Sequence, residues 1–203
     1  TLHATTSGAP RAFNSRYIVV PRFQCLSCIA RKPIVRTMTL DLRGGYQKKN
    51  ARLEFRFSCH CYSRRPANGV AIPADLLVRD GSKHEPRDRI FCQMRYNQSI
   101  TLVQHIDDLI NTNGLVQRSR HLNFFSTHVV TVDAHGVNTT TPYYIFMDAT
   151  KKQDTGHPPK LDIFVESAYL EDPNIPSPSG IGAAMHLSEL LGRVWVSGSV
   201  GGK

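Results

Sequence analysis

No apolar run in this chain approaches the roughly 18 to 20 residues that a membrane-spanning helix needs. The first 30 residues also lack the continuous apolar segment of a secretory signal. A cytoplasmic protein with no membrane partner is expected. The sequence has no P-loop, no dinucleotide G-x-G-x-x-G, no H-E-x-x-H and no G-x-S-x-G. Those enzyme classes therefore have no support, and no cofactor is expected. Cysteine is scarce and odd in number, five in 203 residues, which argues against a secreted disulfide framework. A chain this long can bury a core without staples, so reduced thiols are expected, with Cys92 buried.

Acid is missing from the opening segment. Residues 1–37 carry six basic residues and no Asp or Glu, whereas residues 38–120 carry fourteen basic and eight acidic, and residues 121–203 five and eight. The net charge of +9 is thus concentrated in the first 120 residues and suits a phosphate-bearing partner. Met38 opens a cleanly alternating segment, so residues 1–37 are expected to form a basic, disordered or non-native extension. A single domain is expected over 38–172, followed by a Pro/Ser/Gly-rich tail over 173–203. Within that tail "AAMHLSELLGRVWVSG" has the spacing of a short amphipathic helix docking Leu187, Leu190, Leu191 and Trp195.

From Met38 the pattern is strand, turn, strand. Met38, Leu40 and Leu42 alternate with polar residues, and Leu53, Phe55, Phe57, Cys59 and Cys61 share one face of the next strand. That alternation puts His60 on the opposite face, with Arg56 and Tyr62. Residues 64–95, broken by Pro66, Pro73 and Pro86, read as a long connection with at most a short strand at Val70–Ile72 or Leu76–Val78. "NQSITLVQHIDDLINTNG" is the clearest helix: Asn97 or Ser99 can cap it, and Asn113-Gly114 can stop it. Asp107 and Asp108 belong on its solvated face. "HLNFFSTHVVTVDA", "TPYYIFMDAT" and "LDIFVESAYL" then read as a three-stranded meander. The expected fold is α+β, an antiparallel hairpin and meander packed against one main helix, similar in layout to barnase-like and RelE-like proteins.

Three chemistries can be assembled. Cys25-Leu-Ser-Cys28 with Cys59-His-Cys61 offers zinc donors, although the second pair is C-x-C rather than a knuckle spacing. Cleavage of RNA through its 2′-hydroxyl needs a base, an acid and a cation, and His60, Arg120, His121, His128 and Glu166 supply those types. His60 or Glu166 would be the base, a second histidine the acid, and Arg120 the phosphate contact. Strict alternation puts Glu166 and Ser167 on opposite faces, so only one of them could serve. A nucleic-acid-binding surface, for RNA in preference to DNA, can be drawn from Arg56, Arg64, Arg65, Arg87, Arg89 and Arg118. A protein-interaction module, binding a partner through the sheet or the tail, is the alternative.

At "FRFSCHCYSRR", "DGSKHEPRDRIF", "RSRHLNFF", "TPYYIF" and "LDIFVESAYLEDP" the chain resembles a group of short bacterial proteins sometimes labelled stationary-phase growth adaptation proteins. The resemblance spans about Met38 to Pro176. It implies a bacterial cytoplasmic setting and carries no activity, cofactor or catalytic residue.

Overall fold

The computed structural model describes residues 33–80, 87–134, 137–173 and 176–200. Ten strands and three α-helices make up the described chain. A hairpin comes first: β1 (Ile34–Leu42) and β2 (Gln47–Phe57) pair antiparallel from Ile34↔Phe55 to Leu42↔Gln47. Alternation drives it, since Met38, Leu40, Ala51, Leu53, Phe55 and Phe57 are buried while Arg52 and Arg56 face water. The chain reverses through Arg43–Gly45, where Gly44 and Gly45 take positive φ of 67° and 94°. The expected boundary at Met38 falls inside β1, whose pairing begins four residues earlier.

β6 (Leu115–Ser119), β7 (Phe124–Ala134), β8 (Val137–Lys152) and β9 (Lys160–Leu170) form an antiparallel meander. β9 then lies parallel to β2, with Arg52↔Lys160 through Phe57↔Val165 in register, which joins meander and hairpin. β10 (Gly180–His186) adds to the far edge beside β6, giving seven strands in the order β1-β2-β9-β8-β7-β6-β10. The meander is thus longer than the three strands expected, and the segment after residue 173 supplies an edge strand.

The main helix is bent. α1 (Gln93–Ser99) and α2 (Leu102–Asn111) are separated at Ile100 and Thr101, where the Ser99 hydroxyl donates to the Tyr96 carbonyl at 2.7 Å and that of Thr101 to the Gln98 carbonyl at 3.0 Å. Such back-bonding hydroxyls compete with helical amides. Asn113, at φ 47°, ends α2 as the sequence suggested. α3 (Leu187–Ser197) buries Leu187, Leu190, Leu191 and Val194, while Trp195 is only partly covered, with Lys151 Nζ 4.8 Å from its ring centre. One core, including Leu53, Ile145, Ile163, Leu102, Ile106 and Leu191, lies between the sheet and these helices. Among the described residues no helix is long and apolar enough to cross a membrane.

The described part of the connection over 64–95 is more ordered than its prolines suggest. β3 (Ser63–Arg64), β5 (Asp88–Phe91) and β4 (Leu77–Arg79) make a small antiparallel sheet in that order. Strands of two to four residues hold through pairing such as Leu77↔Ile90 and Ser63↔Phe91, which no local pattern reveals.

Candidate functional site

The Cys-His-Cys triplet is not strand. β2 stops at Phe57, and Cys59–Cys61 form one turn of 3-10 helix, capped by the Ser58 hydroxyl accepting from the His60 amide at 3.2 Å. A turn of about three residues sends successive side chains in three directions rather than two. The two cysteines therefore part company: Cys61 is fully buried, its thiol 3.9 Å from the Val165 carbonyl, whereas Cys59 is half-buried and lines a groove. Burial pushes the Cys61 thiol up to about 12 and also raises that of Cys59, where the Asp80 carboxylate adds to the effect. Cys25 and Cys28 lie outside the described residues.

His60 turns toward the small sheet. Its Nε2 stands 2.8 Å from Asp80 Oδ2, just past the end of β4, and a third of the side chain (33%) remains exposed. The turn is fastened from below. Arg95 of α1 donates to the His60 carbonyl at 3.2 Å and to the Ser63 carbonyl at 3.0 Å, with its guanidinium 5.2 Å from the Tyr169 ring. The Ser63 hydroxyl donates to the Cys59 carbonyl at 2.7 Å and accepts from Arg89 Nε at 2.8 Å. Arg89 is thus spent on structure, and burial lowers its pKa.

The groove holds about 710 Å³ and is lined by Arg56, Phe57, Ser58, Cys59, His60, Asp80, Phe164, Glu166 and Ser167. Its opposite wall depends on a bulge. The β8–β9 register passes from Met147↔Val165 to Phe146↔Ser167, which leaves Glu166 as an extra residue. The bulge breaks alternation, so Glu166 and Ser167 both line the groove instead of taking opposite faces as expected. Glu166 Oε2 accepts a hydrogen bond from Asn123 Nδ2. Arg56 forks onto Asp162 at 2.8 and 2.6 Å, which raises its pKa and compensates its charge, and it sits 5.7 Å from the Phe164 ring.

The expected catalytic set is therefore divided. His60 and Glu166 meet in the groove. His128 is elsewhere: it alternates with the outward Thr127 and Val129, pairs with the buried Tyr143, and packs its ring 5.0 Å from that of His105 on α2. Its Nε2 lies 3.1 Å from the Ser126 hydroxyl, and burial pulls its pKa down to about 4. Arg120 and His121 are exposed in the turn between β6 and β7, where the Ser119 hydroxyl holds the His121 amide at 3.0 Å. The arginines are dispersed too. Arg64, Arg65 and Arg87 are exposed around the small sheet, and Arg118 lines a separate cavity with Leu190 and Arg193. Asp80 and Asn123 hold the groove's side chains in place without having been singled out, since nothing local marks residues that act by distant contact.

The chain belongs to the YjaZ family, whose profile matches residues 32–195. That span includes every residue of the groove. No curated protein and no solved structure matches the chain.

Proposed function

We propose that the groove between the Cys59–Cys61 turn and the β9 bulge cleaves RNA by metal-independent acid–base chemistry, in a bacterial cytoplasmic protein of toxin or stress-response type. The observation that carries this reading is the convergence of the His60–Asp80 pair and Glu166 on one open groove. With Asp80 on Nε2, the other ring nitrogen of His60 is left for a substrate proton, and the carboxylate stabilises the imidazolium that forms. His60 takes the proton of the 2′-hydroxyl as its oxygen attacks phosphorus. The bond to the 5′-oxygen breaks, and Glu166, as the general acid, returns a proton to that leaving oxygen. The products are a 2′,3′-cyclic phosphate and a free 5′-hydroxyl. The partly exposed Phe164 (36%) offers a ring on which a base can stack.

Incubation of the purified protein with single-stranded RNA in EDTA tests this. Cyclic-phosphate ends are expected from the wild type, with the rate falling by about 10² to 10⁴ in His60→Ala. Intact RNA would overturn it, and a lack of salt-dependent RNA binding would leave the protein-interaction alternative.

A further inference from the structure

The wall of the groove that holds His60 has a second chemical property, carried by its donor atoms. A Cys59 thiol, a His60 ring nitrogen and an Asp80 carboxylate oxygen all lie within 4.8 Å of one another. Each is partly exposed, so an ion can reach them. They supply one sulfur, one nitrogen and one oxygen, a donor set that matches zinc and differs from the all-oxygen shells of magnesium and calcium. Tetrahedral zinc with bonds of about 2.0 to 2.3 Å places one sulfur and two N/O ligand atoms about 3.3 to 3.6 Å apart. The three donors are close enough to reach that spacing by small side-chain rotations, the His60–Asp80 contact opening slightly as an ion enters.

The backbone under two of the donors is already held. The Cys59 carbonyl accepts from Ser63, the His60 amide donates to Ser58, and the His60 carbonyl accepts from Arg95. Anchoring of this kind reduces the ordering cost of coordination. The third donor arrives from the far end of β4, and the Asp80 amide donates to the Arg87 carbonyl at 3.2 Å.

We infer that Cys59, His60 and Asp80 form a three-ligand site for a thiophilic divalent cation of the zinc class, with its fourth position open to the groove. This goes beyond the ribonuclease reading and excludes simultaneous use of His60 as a base, because a neutral imidazole that ligates an ion through one nitrogen carries its proton on the other. Binding is read without RNA, so the two readings can fail separately.

Cobalt(II) titration of the full chain is the test, since thiolate-bound tetrahedral cobalt gives a near-ultraviolet charge-transfer band and intense visible bands. The background is Cys25→Ser/Cys28→Ser, which removes the other closely spaced thiol pair. One cobalt per chain with the thiolate band is expected there. Cys59→Ala should abolish the band, and Asp80→Asn and His60→Ala should each weaken binding at least about tenfold. Circular dichroism melting checks that each variant is folded, and Cys59→Ser takes the place of Cys59→Ala should the latter melt early. A background variant with no band, or a band indifferent to a folded Cys59 variant, overturns the site. Affinity unchanged from the background in the folded Asp80→Asn and His60→Ala variants does so as well.

Discussion

Arg36, two residues ahead of Met38, grips Asp107 of α2 with both prongs of its guanidinium, at 2.6 Å from Nε and 2.8 Å from Nη2. The hydrogen bond to Arg36 lowers the Asp107 pKa. Both groups are partly in water, at 36% and 25% exposure, so the pair is expected to contribute about 0.5 to 1 kcal/mol. Arg36→Ala, Asp107→Asn and the double variant, measured by urea unfolding, should close a cycle with a coupling of that size. The coupling is present above the ordinary carboxylate range and disappears as pH falls through the lowered Asp107 pKa. Additive losses would show that the fork contributes nothing.

His128 makes the fold acid-sensitive in a higher window. Folded, it titrates at about 4 because burial opposes its charged form, and His105 opposes it further; unfolded, its pKa is about 6.5. Between those values the unfolded chain binds a proton that the folded chain refuses. Stability is therefore full above pH 6.5 and declines as pH drops toward 4. After allowance for screening the decline is on the order of 1 to 2 kcal/mol, and His128→Gln should flatten it between pH 7 and 4.5 in urea midpoints. An unchanged slope in that variant would remove His128 as the cause.

The same His128→Gln protein should cleave RNA as the wild type does, because the ring packs against α2 and not in the groove. Glu166→Gln should lose at least about 10² in rate, since an amide has no proton to give to the leaving oxygen. Loss of activity in His128→Gln with full activity in Glu166→Gln would place the chemistry elsewhere.

Gly192 is buried in α3, and a Cβ there would collide with the carbonyl oxygen of Asp41 at the end of β1. That neighbour is backbone, not a flexible side-chain tip that could move aside. Gly192→Ala should cost at least about 2 kcal/mol despite alanine's better helix propensity. Thermal unfolding checks it, and a rise in midpoint would mean that α3 does not sit against β1 this closely.

Much of the local structure was legible from residue patterns. Alternation located β1, β2 and the core strands of the meander, and the 3.6-residue stripe of Ile106 and Leu109 located α2. Leu187, Leu190 and Leu191 marked a docking helix in a segment otherwise dominated by Pro, Ser and Gly. Each of these signals resides in neighbouring residues, because burial of one face imposes its period on the chain.

Elsewhere the pattern misled, for reasons that are themselves local. Cys59 and Cys61 continue the spacing of Phe55 and Phe57, but the Ser58 hydroxyl captures the His60 amide and winds the chain into a turn. Glu166 and Ser167 would alternate in a regular strand, and a single bulge against Phe146 and Met147 brings both to the groove.

The sequence by itself determined the α+β class, the positions of most elements and several groove residues, among them Arg56, Cys59, His60 and Glu166. Only the tertiary structure decided that β9 lies parallel to β2, that Asp80 meets His60 across twenty residues of chain, and that His128 stays apart from both. Periodicity records which face of an element is buried, whereas convergence of side chains depends on strand order, bulges and turn caps, which are settled by contacts between residues far apart in the chain.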